Sequence, residues 1–427
     1  MSGLFLPLPE ETRRVLDRLS GLVDEVFPLP GRFRAGLKRD VAELSRLLTS
    51  GREDRGVSYL GKPALLSAYL RYFLPWNIYR LCRLFTTLPL VLKSHDAVND
   101  FGAGPLTLAA ALWISRPELR SVPLEFRCVD RTAAVLEAGK KFFAALSAET
   151  TGGSGNCPWE TRLIRGELWT KGARNFGSRQ PGGLSVEIRG KPAALSAAVN
   201  VYNEMFWDFS PVDTEGLRSF AGNQARLLSS LTASSGSVLV VEPGIPRSGE
   251  FISLLRSSLI KEGRPPLSPC VHPGPCPLPG GRARAENDSS ARNSPYRKAG
   301  GKAKWCHFAF DTEDAPKELH KLSAAAALPK ERAVLSFILA GPVSPGAKTG
   351  PEPAKVVSGR PVKIRIVSDS FPVNDTWGRY GCSERGLVLV TGKRENLDAS
   401  PSGAQEELPV IDGLKDAKSG ALMVNHK

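Results

Sequence analysis

The chain has 427 residues, of which 41% are hydrophobic and 23% charged. Because this length is too great for one ordinary hydrophobic core, it predicts two or three domains. No run of about 18 apolar residues occurs, which argues against a membrane-spanning helix, and the first residues resemble neither a secretion signal nor an import signal. A net charge of +14 favours a polyanionic partner over a merely solvated basic surface, while 7% aromatic residues argue against base stacking as the main binding mode.

Residues 1–92 are predicted to form an N-terminal helical region. Leucine and valine recur at helical spacing between residues 11 and 48, and a longer apolar pattern follows up to residue 90. Pro63 and Pro75 stand where a helix begins or bends. The segment 69–83 mixes aromatic and basic side chains, which suits either an amphipathic helix packed on the next domain or a helix that faces nucleic acid.

From residue 93 to residue 261, short apolar runs alternate with helical segments, and this alternation predicts a doubly wound α/β domain with a parallel sheet. The predicted strands are 97–101, 124–129, 161–165, 193–202 and 237–242. The predicted helices are 106–114, 132–145, 212–231 and 249–260. The run at 193–202 is apolar throughout, which is typical of a strand buried on both faces.

The alternation stops in segment 262–310, which begins with prolines and glycines and then becomes basic, with seven Lys and Arg residues between positions 278 and 304. We expect a cysteine-rich, metal-binding insertion with a basic loop that is flexible when free. Segment 311–395 contributes further strands at 333–340, 362–367 and 387–390, with a low-complexity connector at 341–361. Residues 396–427 are predicted to be a polar tail.

A glycine-rich loop follows the first predicted strand of the α/β domain. Gly102 and Gly104 come directly after Asp100 and before a helix, so the backbone can turn sharply and approach a ligand beside free helical N–H groups. Asp130 ends the next strand, where a carboxylate can accept hydrogen bonds from ribose hydroxyls. The arrangement predicts a loop for a nucleoside-type cofactor, and a plain strand-to-helix turn is the alternative.

The acid followed by alternating glycines resembles the first motif of class I S-adenosylmethionine-dependent methyltransferases. Leu106 stands where that motif often has a third glycine. The resemblance implies that the end of the fourth strand, around Asn203, faces the transferred methyl group. This segment differs from the motif of amino-group methylases, and no strand end offers a cysteine nucleophile for pyrimidine carbon. We therefore expect S-adenosylmethionine at five residues and name no catalytic residue. The five are Asp100, Gly102, Gly104, Asp130 and Asn203.

Four of the seven cysteines lie in segments that suggest metal binding. Cys270 and Cys276 share a proline- and glycine-rich loop, Cys306 lies in a Trp-Cys-His-Phe segment, and Cys382 follows much later. Such a loop buries little, and metal binding would replace the missing core with binding energy. Four thiolates suit zinc or an iron–sulfur cluster, while unrelated reduced cysteines and disulfides are the alternatives.

Other residues near these cysteines have a less specific interpretation. His272 and His307 are candidate additional ligands in a mixed zinc site, although such neighbours are more often exposed or placed behind the ligands. Cys82 and Cys128 lie in apolar surroundings and are expected to be small buried hydrophobic residues. An odd number of cysteines spread over a long chain favours a reducing compartment.

Taken together, the motifs resemble the methyltransferase-like assembly factors of the small ribosomal subunit, known from mitochondria and with bacterial relatives. The resemblance covers about residues 55–390. It is carried by the segments 68–75, 100–105, 202–204, 241–244, 269–278 and 305–308. It implies a 4Fe–4S cluster held by four cysteines, and binding to small-subunit ribosomal RNA during maturation. Those cysteines are Cys270, Cys276, Cys306 and Cys382.

We therefore expect a monomeric, cytoplasmic assembly factor that binds the small ribosomal subunit and its RNA and carries a structural 4Fe–4S cluster. In this interpretation the cluster fixes the cysteine loop and the Cys382 segment on the sheet domain. The first alternative is an active S-adenosylmethionine-dependent ribosomal RNA methyltransferase. The second is an unrelated nucleotide-binding or zinc-dependent module.

Overall fold

The computed structural model describes residues 3–51, 59–152, 157–168, 184–205, 214–280, 304–344, 361–409 and 414–426. Its N-terminal region is helical, as predicted. The helices are α1 (Glu10–Val26), α2 (Gly31–Arg34), α3 (Leu37–Leu48), α4 (Pro63–Ala68) and α5 (Leu74–Phe85). A single π-helical turn, Tyr69–Phe73, joins α4 to α5, and Pro75 lies in the first turn of α5, where its missing N–H costs nothing.

The basic residues of this region are used for packing. Arg71 is buried and donates to Asp24 at 3.0 Å, and Arg83 is buried and donates to Asp314 at 2.6 Å. Helix α5 itself is buried along almost its whole length and packs on α1 and on the helix that follows the glycine-rich loop. The packing interpretation of segment 69–83 is therefore confirmed for these two arginines, because side chains buried in ion pairs do not face a nucleic acid.

An eight-stranded sheet forms the centre of the molecule. Its strands are β1 (Asp96–Phe101), β2 (Leu124–Asp130), β3 (Trp159–Arg165), β4 (Ala193–Val199), β5 (Thr232–Pro243), β6 (Pro266–Ser268), β7 (Phe308–Asp311) and β8 (Arg332–Ala340). The associated helices are α6 (Thr107–Ser115), α7 (Ala133–Thr150), α8 (Tyr202–Met205), α9 (Thr214–Leu231), α10 (Pro246–Lys261) and α11 (Lys317–Ala325).

The strand order is β3-β2-β1-β4-β5-β8-β6, and the first five strands of this order are parallel. The order reverses between β1 and β4, so their carboxyl ends border the crevice where doubly wound sheets bind ligands. The parallel sheet expected for residues 93–261 is confirmed for β1 to β5, whereas β8, from a later segment, runs antiparallel to β5 and to β6. An apolar run such as 333–340 indicates burial but not strand direction.

The two ends of the predicted insertion belong to this edge. Strand β6 pairs with the end of β8, and β7 pairs with its beginning. The basic loop between them falls largely in residues 281–303, which lie outside the described residues. The sequence did not predict β6 or β7, because three and four residues among prolines and aromatics carry no measurable period.

A second, six-stranded sheet follows the connector. Its elements are β9 (Pro361–Ile366), β10 (Phe371–Val373), β11 (Thr376–Ser383), β12 (Gly386–Gly392), α12 (Arg394–Asp398), β13 (Gln405–Pro409) and β14 (Leu422–Asn425). The last two strands replace the polar tail predicted for 396–427. Strand β13 lies at the edge of its sheet and buries Glu406 against Arg379 at 3.3 Å, so its sequence is polar although it is paired.

None of the helices in the described ranges is both long and apolar enough to cross a membrane.

Candidate functional site

The glycine-rich loop turns from β1 into α6 through three residues with positive φ. The φ values are 68° at Gly102, 52° at Gly104 and 57° at Leu106. A Cβ on Gly102 would lie 2.3 Å from Cγ2 of Val201, so the position requires glycine for space as well as for conformation. The predicted loop is thus present, and it passes directly beside the end of β4.

Leu106 occupies the left-handed conformation that a glycine would adopt at less cost. Its side chain is fully buried and packs against Gly139 of α7, where an added Cβ would lie 2.7 Å from Cδ1 of Leu106. The leucine is therefore accommodated by a glycine on the neighbouring helix, and it packs into the protein interior.

Asp130 holds the loop in place. Its carboxylate accepts hydrogen bonds from the backbone N–H of Gly104 at 3.0 Å and of Thr132 at 2.9 Å. Burial raises the pKa of Asp130, and these two bonds oppose the rise. The structure thus gives this carboxylate a role inside the loop, and its contact with a cofactor stays a prediction.

Asp100 is the buried acid at the bottom of the site. Its side chain is 1% exposed, and its Oδ2 atom has no hydrogen-bond partner among the described residues. Burial, together with the nearby charge of Asp130, raises its pKa to about 8. A buried carboxylate oxygen without a partner is costly, and a donor group on a ligand would satisfy it.

A small cavity of about 20 Å³ lies against Asp100 and the glycine-rich loop. Tyr69 of the π-helical turn and Asn77 of α5 line it from the N-terminal region, and Asn200 lines it from the end of β4. The cavity has room for about one water molecule, so a cofactor of nucleoside size requires this side to open. The sequence analysis missed Tyr69 and Asn77 because their nearness to the loop depends on tertiary packing.

The end of β4 is organised by Glu242 at the end of β5. The fully buried Glu242 carboxylate accepts hydrogen bonds from the backbone N–H groups of Val201 (3.1 Å), Tyr202 (2.8 Å) and Asn203 (3.0 Å), and from Asn203 Nδ2 (2.9 Å). Burial raises the pKa of Glu242 to about 7, and these donors oppose the rise. The predicted cofactor residue Asn203 thus fixes the strand end together with Glu242, which the sequence analysis did not name as a site residue.

Four cysteines lie in the region that joins the two sheets, and of these Cys382 is buried and the other three are half-buried. Cys270 and Cys276 follow β6, Cys306 precedes β7, and Cys382 lies in β11. All four are free thiols. Sγ of Cys382 lies 3.3 Å from Nε2 of His272, in the loop that carries Cys270 and Cys276. Burial raises the pKa of Cys382, and the charges of the other three thiols raise it further. The structure therefore brings the four predicted ligands together from distant parts of the chain.

Two arginines surround this cysteine cluster, defined as Cys270, Cys276, Cys306 and Cys382. Arg256 of α10 donates through Nε to Sγ of Cys270 at 3.1 Å and through Nη2 to the carbonyl oxygens of His272 and Gly274 at 2.7 and 2.8 Å. Arg365 of β9 donates to the carbonyl of Pro269 at 2.9 Å. The sequence analysis identified neither arginine, since both are distant from the cysteine motifs in sequence.

Within the described ranges, no group of three or more His, Cys, Asp or Glu side chains is arranged to hold a metal ion. The four thiols share a region without converging on one ion position. His272 Nε2 lies 3.3 Å from Sγ of Cys382, whereas Nδ1 of His307 lies 3.2 Å from the carbonyl of Trp305. Cys82 and Cys128 are fully buried in the core, as predicted.

No protein-family model and no curated protein sequence matches this chain. Solved structures with similar folds include a putative class I S-adenosylmethionine-dependent methyltransferase from Listeria monocytogenes, with 12% identity, 82% of this chain and 90% of that chain covered, and a TM-score of 0.29. A methyltransferase from Pyrococcus furiosus has 11% identity, 44% and 73% coverage, and a TM-score of 0.26.

A precorrin-8w decarboxylase from Methanobacterium thermoautotrophicum has 12% identity and a TM-score of 0.22; the match covers 38% of this chain and 63% of the decarboxylase. The chain has a class I methyltransferase-like fold. Because the TM-scores are low, this assignment depends on the strand order, the antiparallel β8 and the glycine-rich loop, and it says nothing about substrate.

Proposed function

We propose that this protein is an assembly factor of the small ribosomal subunit, built on a methyltransferase-like fold, that binds ribosomal RNA and holds a structural 4Fe–4S cluster. The observation that supports the proposal is that four free cysteines from separate segments lie in the region that joins the two sheets. In this proposal the protein works as a monomer in the cytoplasm.

The donor set of the cysteine cluster fits an iron–sulfur cluster. Burial and the charges of Cys276 and Cys270 raise the pKa of Cys306, and burial and the charges of the other three thiols raise that of Cys382, so these two thiols ionise only where positive charge compensates them. A 4Fe–4S cluster takes four cysteine thiolates as ligands, which matches the number of free cysteines in this region. Arg256 and Arg365 supply further positive charge beside them.

Such a cluster would act as a covalent link between the sheets. Cys270, Cys276 and Cys306 would hold it from the edge of the first sheet, and Cys382 would hold it from β11. The loop 269–278 contains little regular structure, and Arg256 and Arg365 already fix its carbonyl groups from two sides. The iron–sulfur group would add binding energy to a part of the fold that lacks an apolar core of its own.

The charge of the chain supports an RNA partner, since each Lys or Arg placed on a phosphate releases counterions. Arg71 and Arg83 are excluded from this role because they are buried in ion pairs. The basic residues between positions 278 and 304 are the sequence feature that favours RNA most directly. Nearly all of that stretch lies outside the described residues, so its contribution is a proposal from sequence.

The alternative, an active ribosomal RNA methyltransferase, is favoured by one observation. Asp100 has an unpartnered, buried carboxylate oxygen beside a loop in which a Cβ on Gly104 would meet only the carbonyl oxygen of Gly102, at 3.9 Å, and this combination fits S-adenosylmethionine. That cofactor supplies an activated methyl group when bound. Asp100 would accept a hydrogen bond from it, and the loop backbone at Gly102 and Gly104 would approach it closely. Asn203, at the strand end that would face the methyl group, is instead bonded to Glu242.

Anaerobic purification with iron and sulfide analysis tests the cluster. We expect a brown protein with about four irons per chain, as a 4Fe–4S cluster requires. Co-sedimentation with immature small subunits tests the assembly role, and transfer of labelled methyl groups into those particles tests the alternative. Colourless, iron-free protein, or protein that never sediments with the particles, would contradict the proposal.

A further inference from the structure

A basic surface lies on helix α2 and the start of α3. Residues 26–39 contain four Lys and Arg residues and no Asp or Glu. Three of these cations, Arg32, Lys38 and Arg39, are exposed and, within the described ranges, form no ion pair with a carboxylate. They differ in this from Arg71, whose charge is used inside the protein, and they are free to meet an anion from outside.

One aromatic ring lies among these cations. Phe33 of α2 is 53% exposed. Cζ of Arg32 lies 4.8 Å from the centroid of its ring, so the guanidinium covers part of the ring and the rest is open to solvent. A single exposed apolar side chain is ordinary on a protein surface. A ring held beside a guanidinium among unpaired cations, however, has the composition of a stacking site for a base.

A tight turn connects the ring to the cations of α3. The backbone N–H of Gly36 donates to the carbonyl of Phe33 at 3.1 Å, and that of Arg39 donates to the carbonyl of Gly36 at 2.9 Å. A Cβ on Gly36 would lie 3.7 Å from Nη2 of Arg39, so the Arg39 guanidinium lies against the turn that follows Phe33. The ring of α2 and this cation of α3 therefore belong to one surface.

The positions of Lys38 and Arg39 are electrostatically unfavourable in the free chain. Both stand in the first turn of α3, where the partial positive charge of the helix end disfavours cations, and no side chain caps this end at Gly36. Asp40, the acid next in sequence, forms no ion pair with either of them in the part of the chain that the structure describes. A bound anion would offset this placement.

The surface fits a nucleic-acid strand better than a membrane. Helix α2 has four residues and presents one exposed large apolar side chain, Phe33, whereas helices that lie on membranes bury a continuous apolar face. A single-stranded nucleic acid offers a phosphate for each cation and an open base face for the ring. The ratio of three cations to one ring matches that partner.

We propose that this surface, named the Phe33 surface and defined as Arg32, Phe33, Lys38 and Arg39, binds single-stranded RNA. Phosphates would contact Lys38 and Arg39, and an unpaired base would stack on the open part of the Phe33 ring. A paired base has neighbours on both faces and cannot take this position. Phosphate contacts remain the main source of affinity, in keeping with the low aromatic content of the chain. The inference rests on the proposed function only for the identity of the RNA.

Charge reversal tests the phosphate contacts, with the full chain and a fluorescent oligouridylate of about 12 nucleotides, a length that single-strand binding proteins cover. We expect K38E/R39E to weaken binding about tenfold or more at low salt, and to lower the slope of binding against salt by about 1.4, the value for two phosphates of a single strand. The matched control is K140E/K141E, which makes the same charge change on exposed neighbouring lysines of α7. Equal losses in both variants would overturn the proposal, since they would show only a dependence on net charge.

Substitution of Phe33 tests the stacking contact. Phe33→Ala is expected to weaken binding of the single strand about fivefold or more and to leave binding of duplex RNA unchanged, while Phe33→Trp, which keeps an aromatic ring, binds the single strand normally. Leu414→Ala, which shortens an exposed apolar side chain elsewhere, is the control. Melting temperatures show that the variants are intact. Unchanged single-strand binding in Phe33→Ala would overturn the proposal of a base on this ring.

A membrane is the competing partner, and vesicles of phosphatidylglycerol and phosphatidylcholine test it. We expect the natural chain and Phe33→Ala to bind such vesicles equally, because one ring adds little buried apolar area. Loss of vesicle binding in Phe33→Ala, with oligonucleotide binding unchanged, would overturn the proposal and assign the Phe33 surface to a lipid headgroup layer.

The proposed function and this inference can fail separately. If the protein binds the oligonucleotide through the Phe33 surface but never sediments with small subunits, the assembly role fails and the inference stands. If it sediments with the particles and K38E/R39E sediments equally well and binds the oligonucleotide equally well, the inference fails and the assembly role stands.

Discussion

Cys382 of β11 lies directly across from Arg365 of β9 in the register of the second sheet. Arg365 in turn donates to the carbonyl of Pro269, the residue before Cys270. One arginine therefore connects the strand that carries the last cysteine to the loop that carries the first. The cysteine cluster is built into the packing of the two sheets, which makes its integrity measurable through stability.

Cys276→Ser is expected to lower iron content and melting temperature together. The serine keeps the size of the side chain but is a poor ligand for iron, so the binding energy that holds the loop is lost. Iron analysis and thermal unfolding of anaerobic protein measure the two quantities. Cys157→Ser is the control, because Cys157 is not part of the cysteine cluster. A Cys276→Ser protein of unchanged stability would show that the loop 269–278 folds without a bound metal cluster.

Arg256→Ala is expected to reduce both iron content and stability, since two buried carbonyl groups and one thiol lose their donor. The lost bonds suggest a destabilisation of about 2–4 kcal/mol. Arg264→Ala is a matched control, because Arg264 is equally buried and donates to several backbone carbonyls away from the cysteines. The control should lose stability and keep its iron, and equal iron loss in both would argue against a specific role for Arg256.

Asp100→Asn is expected to stabilise the apoprotein at neutral and alkaline pH. The pKa of Asp100 is about 8 in the folded chain and 3.8 when unperturbed, so the folded state binds the proton more tightly. Stability therefore falls as pH rises from about 4 to about 8, and below pH 4 the effect vanishes. Glu242 adds a similar fall up to about pH 7. Melting temperatures at pH 5 and pH 8.5 should differ less in the variant than in the natural chain.

The exposed substitution Asp17→Asn is the control for this measurement, and it should leave the pH dependence unchanged. The same Asp100→Asn protein should bind S-adenosylmethionine more weakly, because the amide is a poorer hydrogen-bond acceptor than the carboxylate. An identical pH dependence in Asp100→Asn and in the natural chain would mean that the Asp100 carboxylate accepts a hydrogen bond in solution and that its pKa is not raised.

Asn203→Ala tests whether Asn203 only holds the end of β4 through Glu242 or also contacts the cofactor. Loss of the bond to Glu242 is expected to destabilise the fold by about 1–2 kcal/mol, because the buried carboxylate loses one of its four donors. If Asn203 acts only through Glu242, affinity for S-adenosylmethionine falls modestly and Glu242→Gln reproduces the effect. A total loss of cofactor binding at unchanged stability would place Asn203 on the ligand.

Tyr69→Ala is expected to strengthen binding of S-adenosylmethionine, since the ring lines the small cavity and has to move before a nucleoside can enter. Calorimetric titration of the natural chain and the variant measures the difference. Tyr59→Ala is the control, because Tyr59 contacts Glu204 near the loop and does not line the cavity. Weaker binding in Tyr69→Ala would instead make the ring a contact of the cofactor.

The sequence predicted the elements whose apolar residues follow a clear period. Strands β1, β2, β4, β5 and β8 were found because most of their residues are buried, and β3 was found although it is a largely half-buried edge strand. Strand β11 was missed because its sequence, TWGRYGCS, buries an arginine: Arg379 is fully enclosed and pairs with Glu406. A buried ion pair removes the alternation on which strand prediction depends.

The residues of the candidate site also fall into those that local sequence motifs predict and those that only the fold reveals. The cysteines and the glycine-rich loop belong to local motifs, so they were predicted, and the structure brings the four cysteines together. Glu242, Arg256 and Tyr69 act on groups that are distant from them in the sequence. Glu242, for example, accepts a hydrogen bond from Asn203, which lies 39 residues earlier. Such partners have no local pattern, and only the folded chain identifies them.

The contact between Leu106 and Gly139 has a consequence for how this loop is detected in other proteins. A Cβ on Gly139 would meet the backbone of Pro105 at 2.4 Å as well as Cδ1 of Leu106 at 2.7 Å, so the loop needs a glycine on the helix behind it. Searches that demand three glycines in a row of fixed spacing will pass over such chains. A glycine on the following helix, where the loop backbone packs closely, is a further mark of such a loop.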